Sequence, residues 1–181
     1  CASLHFINKH TFTTSRNAAL MGGIESLKEA VARNRKNYTT RVVCFAELTV
    51  DETIQRRTTF PVGSQIYYIQ RVRCIEGEAL IIDHNYFLKD VVRDLTPEIA
   101  ERSIYEYMEK DLGESIVTTK RKMTVERVNQ IDETYLDLKD YNCMAVVSSM
   151  TYNKDGVMFE FTQSRHRPDR FVFYDLAHRT K

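Results

Sequence analysis

The chain carries no excess charge, no membrane-length apolar run, no paired cysteines and no reaction-centre motif, and each gap removes a class of function. Against 26 Lys+Arg stand 25 Asp+Glu, a balance that creates no field strong enough to hold nucleic acid or a lipid surface unaided. Four cysteines, Cys1, Cys44, Cys74 and Cys143, are scattered without a CxxC pair and read as reduced core thiols. No apolar stretch approaches the ~18 to 20 residues that span a bilayer, and no signal-type segment opens the chain. We therefore expect a cytoplasmic protein with no membrane partner. A Walker-type lysine loop, an HExxH pair, a Ser-His-Asp order, a metal-spaced Cys/His set and a dinucleotide fingerprint are all missing. Accordingly no cofactor, metal or catalytic residue is expected.

What is present suits one domain: 181 residues with 43% hydrophobic content, enough for a core that folds unaided. The opening Cys1 in place of Met leads us to expect a piece of a longer protein. Residues 1–21 show little periodicity and read as a tail or linker remnant. A helix is expected after Gly22-Gly23, through Leu27, Ala30 and Val31, with Ser26 as its cap. Strands are expected at Tyr38–Leu48, 66–87 (a hairpin), Ser115–Val128, Met144–Tyr152, Val157–Thr162 and Arg170–Tyr174. Short helices fit at DETIQRRT, after Thr96-Pro97, from Ile104 to Leu112 behind the capping box Ser103-x-x-Glu106, and from Glu133 to Leu138. Adjacent strands joined by hairpins, without strict β-α alternation, predict an α+β fold with an antiparallel sheet flanked by helices.

Arg71 and Arg73 lie two residues apart among apolar neighbours. Side chains at i and i+2 of a strand share a face, so both guanidinium forks point the same way, as an anionic oxygen cluster requires. A three-residue loop of Glu76, Gly77 and Glu78 sets Ile75 opposite Ala79 and Arg71 opposite Asp83. Two arginines and a carboxylate then share one face. The residues alone fit an ion-paired surface equally well. A second basic set, Ser164, Arg165, His166, Arg167 and Arg170, lies between two expected strands, where a solvated turn is the commoner role. Ser103 is explained as a helix cap, and a helix N-terminus also attracts anions. His84 and His166 lie near polar clusters without an adjacent nucleophile and read as packing or hydrogen-bonding residues.

Taken in order, a glycine turn with SLKE, then RVR with a downstream acidic residue, then LTPEIAERSIYEYMEKDLG, then FEFTQSRHRPDRFVFYDLAHR resemble the effector-binding (UTRA) domain of GntR-type transcription regulators of the HutC subfamily. The segments IIDHNYFLKDVV, SIYEYMEKDLG and FTQSRHRPDRFVF look most like its trehalose-operon repressor branch. The resemblance covers residues 22–181 and implies a chorismate-lyase-like fold and a binder rather than an enzyme. It assigns Arg71 and Arg73 to the phosphate or polar end of a sugar phosphate, with Ser103 and Tyr105 beside them. Asp83 and Glu160 would accept sugar hydroxyls, and backbone N–H groups near Glu25 and Ser26 would close over the anion. Asp83 stands where many relatives carry Glu and His166 where many carry Tyr, two changes that bear on which sugar fits.

Further implications concern partners. The effector would be trehalose 6-phosphate or a related sugar phosphate, relieving binding to operator DNA. A homodimer would reach that DNA through an N-terminal winged helix-turn-helix that is not evident before Gly22. The alternative from another class is a chorismate-lyase-like enzyme acting on a carboxylated ring.

Overall fold

A computed structural model describes residues 19–21 and 37–173. In chain order the strands are β1 Ala19–Met21, β2 Tyr38–Thr49, β3 Gln65–Ile75, β4 Glu78–Leu88, β5 Ile116–Arg127, β6 Cys143–Asn153, β7 Met158–His166 and β8 Phe171–Phe173. The helices are α1 Glu52–Thr58, α2 Pro97–Glu101, α3 Ile104–Lys110 and α4 Gln130–Tyr135, with a 3-10 turn at Pro168–Arg170. Six strands form one antiparallel sheet in the order β2-β3-β4-β7-β6-β5, the α+β architecture expected. β1 pairs in parallel with β8, so Ala19–Met21, read as the end of a tail, form a strand. The helix expected from Leu27, together with Glu25 and Ser26, lies outside the described residues.

Local chemistry sets most boundaries. Asp51 caps α1 by accepting the Ile54 N–H at 2.8 Å, and Thr96 caps α2 with Pro97 at its first position. Ser103 Oγ accepts the Glu106 N–H at 3.3 Å. Helix α4 starts earlier than expected, because Asn129 and Asp132 form a reciprocal capping box. The β3–β4 loop also differs. It has two residues, Glu76 and Gly77, both with positive φ, as a type I′ turn demands. Ile75 therefore faces Glu78, and a one-residue shift at Leu80 then restores Arg71 opposite Asp83.

Both faces of the sheet are packed. On the front, α2 and α3 cover Tyr67, Ile69, Phe87 and Phe159 with Ala100, Ile104 and Met108. On the back, α1 leads into a cluster of Val50, Phe60, Ile66, Tyr86 and Phe161, while Leu136 beside α4 joins Val72, Ile82, Met144 and Val146. Each such large apolar side chain contributes roughly 1.5–3 kcal/mol on burial. Phe87 is fully buried on a central strand, and Phe87→Ala should cost ~3–5 kcal/mol in a urea titration.

Candidate effector site

The alternating register of β3, β4 and β7 delivers one polar patch to the front of the sheet. Arg71 and Arg73 come from β3, Asp83 and Asn85 from β4, and Glu160, Thr162, Ser164 and His166 from β7. All eight except Ser164, which is half-buried, are buried. This is a costly place for charge unless every group is paired or awaits a ligand.

The two arginines are paired unequally. Arg73 binds Asp83 Oδ2 through Nε and Nη2, both at 2.7 Å, and gives Nη1 to Thr40 Oγ1 at 3.0 Å and to the Tyr38 hydroxyl. Arg71 donates Nε to Asn85 Oδ1 at 2.8 Å and Nη1 to the Ala100 carbonyl at 3.4 Å, while its Nη2 stays 3.8 Å from Asp83. Burial and the neighbouring Arg73 charge lower the Arg71 pKa to about 10. Burial opposes ionisation of Asp83 as well, but Arg73, Arg71 and the Ser164 hydroxyl at 2.6 Å outweigh it and hold its pKa at about 2. One carboxylate thus serves two cations, and Arg71 is the cation with charge to spare.

Glu160 anchors the other half. It accepts the Tyr105 hydroxyl at 2.5 Å and the Thr162 hydroxyl at 2.6 Å. Asn85 Nδ2 meets Thr162 Oγ1 at 2.7 Å, so a hydrogen-bonded chain runs from Tyr105 on α3 to Arg71. Burial and the adjacent Glu160 raise the Tyr105 pKa well above its usual value, which keeps the phenol a donor. His166 closes the patch. It is 3% exposed, and its Nε2 is the buried side-chain polar atom among the described residues that lacks a partner. Burial lowers its pKa, Asp83 raises it and Arg73 lowers it again, leaving about 4. The ring is neutral at pH 7, one of its nitrogens a donor and the other an acceptor.

Of the residues chosen from sequence, the structure gathers Arg71, Arg73, Asp83, Tyr105, Glu160 and His166. Ser103 stands at the start of α3, two residues before Tyr105, with its hydroxyl on the Glu106 N–H. Three of the basic set lie in a strand and not a loop, because β7 continues to His166, while Arg167 and Arg170 follow it. Ser164 and His166 face the site, whereas Arg165 points to the back and holds Asp132 through Nε at 2.9 Å and Nη2 at 2.8 Å and Glu126 at 2.5 Å. Arg167, fully buried, binds Asp169 and the Asp137 carbonyl. His84 faces the back, 2.9 Å from the Tyr68 hydroxyl. Arg165→Ala should therefore cost ~3–5 kcal/mol of folding stability, by leaving Asp132 buried without its cation. Calorimetric melting and ligand titration of that variant would separate the structural loss from any loss of binding. Asn85, Thr162, Thr40 and Tyr38 were not singled out from sequence, although stepping by two from Asp83 and Glu160 reaches Asn85 and Thr162.

Comparison with known proteins adds an independent line. The model of the UTRA domain matches residues 33–172. The HTH-type transcriptional regulator TreR of Bacillus subtilis is 37% identical over 161 residues, covering 89% of this chain and 68% of the relative. The B. subtilis regulator GmuR is 26% identical over 137 residues, covering 76% of this chain and 58% of the relative. Among solved structures, the B. subtilis trehalose repressor (TreR) effector binding domain superposes with a TM-score of 0.71 at 38% identity, covering 79% of this chain and 99% of that one.

Proposed function

The chain belongs to the UTRA domain family, and on that premise we propose that it is the ligand-sensing half of a sugar-responsive transcriptional repressor whose effector is a sugar phosphate, trehalose 6-phosphate first among the candidates. The fold is chorismate-lyase-like, as in the effector domains of that family. The observation that carries the reading is the mixed polarity of one buried patch. The Arg71 guanidinium lies among Asp83, Asn85 and the Ala100 carbonyl, and Glu160 is reached from it through Asn85 and Thr162. Phosphate oxygens suit the guanidinium. Sugar hydroxyls, each a donor and an acceptor, suit carboxylates, amides and the neutral His166.

The likeness to TreR supports trehalose as the sugar, and the family's transcription regulators support a binder in place of an enzyme. In the longer protein, operator DNA would be held by an N-terminal winged helix-turn-helix, in a homodimer. Relief of repression then requires the sugar phosphate to bind the DNA-incompetent state more tightly than the competent one.

Thermal unfolding across a panel of phosphorylated and free sugars tests the assignment. Trehalose 6-phosphate at a hundredfold over its Kd should stabilise the chain by about 2.7 kcal/mol, and trehalose without its phosphate should do far less. A shift with another sugar phosphate alone would reassign the sugar. Turnover of chorismate would overturn the class.

A further inference from the structure

The helices cover only part of the front of the sheet. Tyr67, Ile69 and Phe87 on β3 and β4 pack under α2 and α3, but farther out the same face carries polar side chains that belong to no apolar cluster among the described residues. Cross-strand register sets four such side chains in one row: Asn85 on β4, Thr162 on β7, Ser149 on β6 and Arg121 on β5. Side chains paired in this way share a face and lie within reach of one another. Exposure rises along the row, from Asn85 at 1% and Thr162 at 9% to the half-buried Ser149 and Arg121, with Met123 next to them on β5 41% exposed. The row therefore starts at Asn85, which accepts from Arg71, and opens at β5.

Its two sides differ in chemistry. On one, the Tyr105 hydroxyl lies 3.4 Å from Thr151 Oγ1, and Thr151 Oγ1 lies 3.1 Å from Thr119 Oγ1, a chain of hydroxyls already engaged with one another. On the other, the neighbouring row runs from Ser164 through Val147 to Met123. A hydroxyl-bearing floor between a polar and an apolar wall suits a pyranose, whose hydroxyls need donors and acceptors and whose C–H face needs apolar contact. At ~4.8 Å per strand, the three steps from Asn85 to Arg121 measure roughly 14 Å. That span is longer than one hexose ring and is matched by two.

We propose that Ser149 and Arg121 form a subsite for the second ring of a disaccharide phosphate. With the phosphate on Arg71, the first ring lies over Asn85 and Thr162, and the second lies over Ser149 with its outer hydroxyls on Arg121. The Ser149 hydroxyl both donates and accepts, and the Arg121 guanidinium donates to hydroxyl oxygens. This subsite rests on the sugar-phosphate reading given above and makes it more specific: the site selects a two-ring phosphate over a one-ring phosphate, because only the longer ligand reaches β6 and β5.

Isothermal titration of the purified chain with trehalose 6-phosphate and with its one-ring fragment, glucose 6-phosphate, tests the subsite. The wild type should bind the two-ring phosphate about tenfold more tightly or better, the gain from added hydrogen bonds of which one is charge-assisted. Ser149→Leu, which fills the row beyond Thr162, and Arg121→Ala, which removes the donors at its open end, should each erase most of that advantage while changing glucose 6-phosphate affinity by less than about threefold. Both positions are half-buried, and circular dichroism melts of the variants should stay near wild type. Equal affinity of the wild type for the two phosphates would overturn the subsite, and so would folded variants that weaken both ligands alike or neither. Those results would leave the sugar-phosphate reading standing. A wild type that binds neither phosphate would overturn that reading and the subsite together.

Discussion

Arg71→Met should abolish most sugar-phosphate affinity while leaving the fold standing, and Arg73→Met should do the reverse. Arg73 has two of its nitrogens on Asp83 Oδ2 and a third on Thr40 and Tyr38, so it is already committed to the sheet. Removing it leaves Asp83 buried, with Arg71 at 3.8 Å as its remaining cation, a loss of ~3–5 kcal/mol. Arg71 has one short hydrogen bond, to Asn85, and a long one to the Ala100 carbonyl. Its loss leaves two neutral acceptors underused, about 1–3 kcal/mol. A charge-assisted hydrogen bond to phosphate contributes ~1.5–3 kcal/mol, so affinity should fall roughly ten- to hundredfold. Isothermal titration with trehalose 6-phosphate and urea unfolding of both variants measure the two quantities separately. If both variants lost affinity and stability in equal measure, the division of labour between the arginines would be wrong.

That division could not be seen in the sequence, where Arg71 and Arg73 are equivalent members of an alternating pattern. Their shared face and the carboxylate opposite were legible, because period two and hairpin pairing are local rules. The Arg71–Asp83 register was reached through a loop one residue too long, and the irregularity at Leu80 makes up the difference. Sequence reading misplaced Arg165. QSRHR reads as a polar loop, yet Arg165 is buried in a strand because Asp132, from a different hairpin connection, sits on the back face to receive it. No pattern within the segment encodes a partner more than thirty residues away. The early start of α4 was legible in principle, since Asn129 and Asp132 have capping-box spacing. The unpartnered Nε2 of His166 required the packed structure, because only there does the ring lose access to water.

Folding stability should be flat from about pH 8 down to about pH 6.5, in the range of the free imidazole, and fall steeply below it, driven by two buried histidines. His84 is 3% exposed, and burial together with Arg57 lowers its pKa to about 4. His166 is lowered to about 4 as well. Between their ordinary value near 6.5 and about 4, the unfolded chain binds protons that the folded chain refuses, so stability rises with pH across that window and is lost as pH falls through it. Each histidine contributes a drop on the order of 3 kcal/mol. Asp83 adds a later loss in the same direction: held at about 2 against an ordinary 3.8, it stabilises the fold fully above its ordinary value and ceases to do so as pH falls towards 2. A domain with ~5–15 kcal/mol of stability should thus lose a large part of it to the histidines before its carboxylates titrate. Urea unfolding from pH 8 to pH 4 should show this slope, and His84→Gln with His166→Phe, non-titrating at the same positions, should flatten it. A wild-type profile level from pH 6.5 to pH 4 would mean that both rings reach water in the folded protein.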